Sequence, residues 1–559
     1  MTASEYQAMG GLPHWSTLSL PHQVAQLIVV RASGYLFDHQ IQYPEWEPPA
    51  AVLQHWLSNL GMGGVILLGG SAVEVASRTR QLQDWATVPL LIAADIEEGV
   101  GQRFSGATGF PPPMALGAIA QRDLHAATTY AEAMGAITAE EARAIGINWL
   151  LAPVVDVNNN PENPVINVRA WGETPEQVSQ LTTAFLRGTK QVLTTAKHFP
   201  GHGDTATDSH LDLPVIPHDK ARLMQIELPP FQQAIAAGVD AVMTAHLHLP
   251  ALDPVYPATL SPALLTGELR QRLGFKGLIV TDALVMGAIA HRYGANEAPV
   301  LALEAGADIV LMPVDPVGAI EAICAAVESG RIPVERIHAS LERLWRAKQR
   351  VCSPFIFGDP PHARQQTPPP MAIEALARPQ ALTTASAMLR DSMQVYHPES
   401  SRLHSRESTD KHNLILVDDA LSCNFLRRQA PAIALPQEWG YSLQVIDSYT
   451  PIRIQEQSTQ PPSATLLQLF IRGNPFRSSA NLLALAQQWL IYLQQTNQLQ
   501  AVAIYGSPYV LAQLRPQMPP DVPYVFTYGQ MPAAQAIALQ ALFATAPAQQ
   551  TSRPREFTD

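Results

Sequence analysis

A chain of 559 residues, 47% of them hydrophobic, exceeds what one core usually supports, so two domains are expected. Its 36 basic and 48 acidic side chains give a formal charge of −12 with no long basic block, which disfavours nucleic acid or an anionic membrane surface as partner and favours a small polar substrate. Cys324, Cys352 and Cys423 are odd in number, far apart and without metal-ligand spacing, so they read as reduced thiols rather than a disulfide framework.

The first residues, Met1 to Leu20, lack both a basic start and a continuous apolar stretch, and no run approaches the roughly 20 apolar residues that cross a bilayer. A cytoplasmic protein without membrane insertion is the expectation. From there to residue 312, short β-branched or apolar runs alternate with helical patterns, the sequence form of repeated βα units. The runs are Leu27 to Arg31, Gly64 to Gly69, Pro89 to Asp95, Asn148 to Asp156, Thr194 to His198, Asp240 to His246, Gly277 to Asp282 and Asp308 to Met312. Eight such units favour an α/β fold of the (β/α)8 TIM-barrel type over an open doubly wound sheet. Between them, Thr174-Pro175-Glu176-Gln177 offers an N-cap, a first-turn proline and a Gln at N3, followed by Val178, Leu181 and Phe185 on one face. Ser261-Pro262 opens another helix in the same way.

The barrel is placed at 1–355 and a Pro/Gln-rich linker at 356–380. A smaller α/β sandwich domain follows at 381–559, with strand-like runs Asn413 to Asp418, Ser442 to Ile446, Leu466 to Ile471, Ala501 to Tyr505 and Pro523 to Phe526 and a helix over Ala480 to Gln495. No catalytic motif is legible in it, and a packing role is expected.

In a parallel barrel the chemistry comes from the C-terminal ends of the strands and the loops after them. Asp95 ends the third run, Asp156 and Arg169 follow the fourth, Lys197 and His198 end the fifth, His246 ends the sixth and Asp282 the seventh. Each alone reads as a helix cap or a structural histidine; their shared placement at one mouth is the signal. The stretch Lys197-His198-Phe199-Pro200-Gly201-His202-Gly203-Asp204, continuing to Asp208-Ser209-His210, must be a loop, since two glycines flank a histidine. With Asp208 and His210 two apart in an extended segment, the carboxylate can fix one imidazole nitrogen and leave the other to exchange a proton.

This loop, together with Val280-Thr281-Asp282-Ala283-Leu284-Val285-Met286, closely resembles the β-N-acetylhexosaminidase branch of glycoside hydrolase family 3, which includes the cytoplasmic cell-wall-recycling glucosaminidase. The resemblance extends over roughly the first two-thirds of the chain, to Asp95-Ile96-Glu97-Glu98-Gly99 with Gln102-Arg103-Phe104, to Ala152 through Val157, and to Pro164 through Arg169. It implies a retaining exo-β-N-acetylglucosaminidase with Asp282 as nucleophile and His210 as acid/base oriented by Asp208. It also implies that Asp95, Arg103, Arg169, Lys197 and His198 hold the terminal sugar, that no cofactor or metal is needed, and that the substrate is a small carbohydrate or a peptidoglycan-derived muropeptide. The family often shows two glycines where this chain has Glu98-Gly99, which adds a carboxylate beside the sugar-binding loop.

Three other readings use the same residues. His198, His202, Asp204, Asp208, His210, His246 and His248 would arrange as metal ligands in a metal-dependent barrel hydrolase, which leaves Asp282 and the arginines without a task. A neutral histidine acid/base does not repel phosphate, so a β-N-acetylglucosaminide phosphorylase is a further alternative. A catalytically silent sugar-binding barrel is disfavoured because nucleophile and acid/base candidates are both present.

Overall fold

The computed structural model describes residues 12–206, 212–352, 373–401, 403, 410–449, 464–473 and 480–544. Two compact units are present: Met1–Ser392 with Arg472–Ser479, and Met393–Ile471 with Ala480–Asp559.

In the first unit every expected run contains a parallel strand: β1 Ile28–Ser33, β2 Gly64–Leu68, β3 Leu91–Ala94, β4 Trp149–Leu150, β5 Thr195–Phe199, β6 Ala241–Thr244, β7 Leu278–Val280 and β8 Val310–Leu311. They form two sheets, ordered β4-β3-β2-β1-β8 and β5-β6-β7. Isolated parallel bridges lie at both junctions, Trp149 with Leu193 and Val154 with Lys197 on one side, Val280 with Ile309 on the other. The strands are apolar on both faces because helices cover the outside; β3 and β6 are buried along their whole length. Polar side chains are thereby displaced to the strand ends.

The helices start where capping chemistry allows. Ser71 and Glu74 form a reciprocal capping box on the helix Ala72–Trp85, and Thr174 caps Pro175–Gly188, whose Val178, Leu181 and Phe185 are buried as their spacing requires. That helix lies against Leu124–Ala144 at a distance only glycine permits: a Cβ on Gly135 would fall 2.3 Å from the Phe185 carbonyl oxygen, and one on Gly188 2.1 Å from that of Glu132. The segment opened by Ser261-Pro262 is helical over Ala263–Arg272, in π geometry.

The helix Pro379–Ser392, which the expected bounds would divide between the linker and the second domain, belongs to the first unit. Polar ties explain this: the Ala377 N–H donates to Glu141, Arg378 pairs with Glu140, and the Tyr130 hydroxyl donates to Asp391 at 2.7 Å. The first part of the expected linker, 356–372, lies outside the described residues.

The second unit holds one six-stranded sheet ordered β11-β10-β12-β13-β14-β9, comprising β9 Gln394–Tyr396, β10 Lys411–Leu416, β11 Ser442–Ile446, β12 Ala464–Ile471, β13 Leu499–Gly506 and β14 Tyr524–Thr527. Five are parallel, and β9 adds antiparallel to β14. Leu466, Phe470, Ala501, Ala503, Tyr505 and Val525 build its core, with the Phe470 and Tyr505 rings stacked at 4.3 Å. Polar groups inside it are satisfied in a chain: the Tyr505 hydroxyl donates to Gln468, whose amide donates to Asn413. Among the described residues of both units, no helix is long and apolar enough to cross a membrane.

One buried carboxylate ties the helix Val334–Cys352 to β7 and the start of β8. Asp308, fully buried just before β8, accepts from the Ile279 N–H, from Ser340, and from Arg270, Arg336 and Arg343. Asp308→Ala leaves these guanidiniums without their shared counter-charge and should cost about 3 kcal/mol or more of unfolding free energy. Urea denaturation followed by circular dichroism checks this, and an unchanged midpoint would contradict the anchoring role.

Candidate active site

The strand ends of the first unit deliver a dense charged cluster. Lys197 comes from β5, a strand buried on every residue, and its ammonium lies 2.7 Å from both an Asp95 oxygen and a Glu97 oxygen. Arg169, on the short turn Asn167–Arg169, makes a forked pair with Glu97: Nε donates to Oε2 and Nη2 to Oε1, each at 2.8 Å. Arg103 donates from Nε to the Asp95 carbonyl oxygen at 2.8 Å. Asp95, Arg103, Arg169 and Lys197, expected together from the sequence, are therefore together here.

The electrostatics follow from burial and pairing. The Glu97 and Lys197 side chains are only 3% and 2% exposed, whereas that of Asp95 keeps a face open at 34%. Burial pushes the Glu97 carboxyl up, but Arg169 and Lys197 outweigh it and hold it well below its ordinary value. Burial likewise raises the Asp95 carboxyl, and Lys197 with Arg103 overrides it downward. Burial works against the charge of Lys197, yet Asp95 and Glu97 raise its pKa overall. All three groups are charged, and of the three side chains only that of Asp95 is appreciably exposed.

His198 follows Lys197 on β5 and is oriented by Asp156, which is fully buried. The His198 ring Nδ1 lies 2.8 Å from Asp156 Oδ2, and the His198 and His202 backbone N–H groups donate to Asp156 Oδ1 at 3.1 and 2.7 Å. The second ring nitrogen, Nε2, is thus aimed by a carboxylate on the first. His202 sits edge-on to His198, with ring centroids 6.1 Å apart. Burial drives its pKa down to about 4, against smaller opposing effects from Asp156 and Asp282.

The loop holding these histidines is latched to the loop of Arg169. The buried Asn163 amide donates to the carbonyl oxygens of His202 and Gly203, while its own oxygen accepts from the Val165 and Ile166 N–H groups. Gly203 lies so close to the Val157 carbonyl oxygen that a Cβ would stand 1.7 Å from it.

Asp282 follows β7. Its N–H donates to Thr244 Oγ1 at 3.3 Å, and its Oδ1 accepts from the Ala283 N–H at 2.8 Å. His246, fully buried at the end of β6, joins Thr259 to the Ala283 carbonyl oxygen and so supports the backbone beside Asp282. The carboxylate of Asp282 favours the charged form of His202, a smaller effect than burial. Asp208 and His210 lie outside the described residues.

Three of the seven residues of the alternative metal reading are engaged with protein groups, and two, Asp208 and His210, lie outside the described residues. His198 faces Asp156, His246 bridges Thr259 and Ala283, and Asp204 takes His218 and Arg222. Among the described residues no group of three His, Cys, Asp or Glu side chains is arranged to hold a metal ion.

Sequence reasoning passed over four contributors. Glu97, the common partner of Arg169 and Lys197, stood inside a quoted motif without a role, and its two flanking acidic neighbours were the available signal. Asp156 was noted only as a strand-end carboxylate. Asn163 has no signal beyond its asparagine-rich surroundings. Arg472, which makes a forked ion pair with the buried Glu98, stands 374 residues away in sequence and carries no local signal. It supplies the contact that the extra carboxylate needed.

The pKa of His202 has a stability consequence. Between about 4 and 6.5 the folded protein binds fewer protons at this ring than the unfolded chain does, so its contribution is complete above 6.5 and is lost as pH falls toward 4. The loss reaches about 3 kcal/mol, and His202→Gln should flatten the pH dependence of unfolding in that window. Parallel slopes for the variant and the parent in urea titrations from pH 4 to 7 would contradict a buried neutral histidine.

Comparison with known proteins identifies the family. Residues 19–347 match the glycosyl hydrolase family 3 N-terminal domain, and residues 404–544 the bacterial glycosyl hydrolase family 3 C-terminal domain. The chain is 33% identical over 432 residues to β-hexosaminidase A of Pseudoalteromonas piscicida, covering 68% of this chain and 70% of that one. It is 34% identical over 346 residues to a β-hexosaminidase of Thiobacillus denitrificans, covering 61% of this chain and 90% of the relative. A family 3 β-N-acetylglucosaminidase from Paenibacillus superposes with a TM-score of 0.73 at 33% identity, over 94% of this chain and 97% of that one. With strand-end carboxylates and a cationic cluster assembled at one mouth, and both halves matched in order, the chain belongs to glycoside hydrolase family 3.

Proposed function

We propose that this glycoside hydrolase is a retaining exo-β-N-acetylglucosaminidase working at the mouth of a closed (β/α)8 barrel. The observation that carries the reading is the cluster in which Lys197 joins Asp95 to Glu97 and Arg169 forks onto Glu97, at the mouth where Asp282 ends β7. The β-hexosaminidase relatives support the sugar. The isolated bridges at both sheet junctions support closure.

In this reading the partly open Asp95 carboxylate, with Lys197, Arg103, Arg169 and His198, takes the hydroxyls of the terminal sugar. Fixed charges that point at one ring orient the anomeric carbon without reorganising during the reaction. The Asp282 carboxylate attacks that carbon; the bond to the aglycone oxygen breaks, and His210 donates the proton that the departing oxygen takes. Water then attacks the glycosyl ester, His210 removes its proton, and Asp282 leaves as a carboxylate. Asp208 orients His210 in this scheme. A nucleophile at the end of a strand is held rigidly.

The substrate we infer is a small soluble saccharide ending in β-linked N-acetylglucosamine, with muropeptides from peptidoglycan recycling as the natural source. A cytoplasmic site of action belongs to the same proposal.

The test is release of p-nitrophenol from its N-acetyl-β-glucosaminide and its β-glucoside, with and without phosphate and EDTA, with analysis of the sugar product. Preferential, EDTA-insensitive cleavage of the N-acetyl substrate to the free sugar is expected. Asp282→Asn and His210→Ala should each lower kcat by about 100-fold or more while binding of N-acetylglucosamine persists. A sugar 1-phosphate product would assign the enzyme as a phosphorylase, and parent-level turnover in either variant would remove the residue from its role.

A further inference from the structure

Glu98 has no task in the mechanism above, yet its side chain is only 5% exposed and sits beside the most heavily used residues of the site. The turn that holds it is rigid: Gln102 Oε1 accepts from both the Glu97 and Glu98 N–H groups, at 2.7 and 3.0 Å, and the Glu98 carbonyl oxygen accepts from the Phe110 N–H at 2.8 Å. Asp95, Glu97 and Glu98 thus place three carboxylates within four residues. Lys197 and Arg169 are already committed to the first two. A third carboxylate buried without a cation of its own would repel Glu97 and compete for Arg169.

Arg472 removes that competition. Its guanidinium forks onto both Glu98 oxygens, with Nη1 donating to Oε2 at 3.0 Å, and its side chain is 26% exposed. Burial works against its charge, but Glu98 first and then Glu97 raise its pKa, while Arg169 opposes them. The backbone after it lies flat on the loop that carries Arg169: a Cβ on Gly473 would stand 3.1 Å from the Asn167 Cβ and 3.2 Å from the Pro164 carbonyl oxygen. Arg472 and its successor belong to the first unit although Ile471 and Ala480, on either side of Arg472–Ser479, belong to the second.

We propose that Arg472 is a positioning residue for sugar binding: by engaging Glu98 it keeps Arg169 and Lys197 on Glu97 and Asp95 in the geometry that receives the terminal sugar. The inference rests on the hexosaminidase reading and adds to it a residue that acts through Glu98 without touching substrate. A fork onto two oxygens is a guanidinium property, so lysine replaces it only in part.

The experiment is a double-mutant cycle in the full-length protein, read as kcat and KM for p-nitrophenyl N-acetyl-β-glucosaminide. Arg472→Met should raise KM by about tenfold or more with a smaller change in kcat, because a charge is left unpaired beside the sugar-binding groups. Arg472→Lys should fall between it and the parent. The Glu98→Gln/Arg472→Met double variant should recover most of the lost KM, since both halves of the pair are then gone. An unchanged KM in Arg472→Met, or a double variant as impaired as that single variant, would overturn the proposal. Should Arg472→Met fail to fold, the double variant binding better than Arg472→Lys supports the proposal and the reverse order contradicts it. A parent protein without turnover overturns the hexosaminidase reading and this inference together, whereas normal parent turnover with an uncoupled cycle overturns this inference alone.

Discussion

Glu97 is the point on which the charged architecture of the first unit closes. Its carboxylate is buried, accepts a fork from Arg169 at 2.8 Å and lies 2.7 Å from the Lys197 ammonium, which in turn lies 2.7 Å from Asp95. Burying one such charge alone is prohibitive, and burying a balanced set is tolerable only when each member is also hydrogen-bonded. The set is therefore interdependent: remove Glu97 and Arg169 loses its carboxylate while Lys197 loses one of its two, in a place water reaches poorly. That requirement explains why segments from β3, the Arg169 turn and β5 meet here, and why Asn163 and Asp156 fasten the intervening loops from behind.

A catalytic consequence follows from where the balance is left incomplete. Asp95 keeps a face toward the opening while Glu97 and Lys197 do not, so the cluster presents one carboxylate on a rigid cationic base. Preorganised charges of this kind favour a ligand that brings its own hydroxyl donors and acceptors, such as a pyranose ring. In the proposed mechanism the nucleophile Asp282 is similarly held, by the Thr244 hydroxyl and by a backbone that His246 supports.

Much of the first unit was legible because its signals are local. Runs buried on both faces betray parallel strands, and Thr174 marks a helix start whatever the rest of the chain does. Asp95, Lys197, His198 and Asp282 could be found because the rule for parallel sheets concerns only the residue after each run. What escaped was non-local or unpatterned. β9 is three exposed residues with no alternation, recruited by pairing with β14 more than a hundred residues later. The helix Pro379–Ser392 shows its amphipathic face but not the partner it packs against, which is chosen by Glu140, Glu141 and Tyr130. Glu97 and Arg472 escaped for the same reason. A carboxylate in a quoted motif reveals its importance only once the cations that share it are in view, and an arginine among second-domain residues gives no hint of a partner near residue 98.

The most direct test of this account is the binding of N-acetylglucosamine to Glu97→Gln, measured by isothermal titration calorimetry beside the parent at neutral pH. The account predicts at least a roughly tenfold loss of affinity, about 1.4 kcal/mol, because Arg169 and Lys197 lose the carboxylate that sets their positions. Parent-level affinity in a folded Glu97→Gln variant would contradict it, and would place the organising role elsewhere in the cluster.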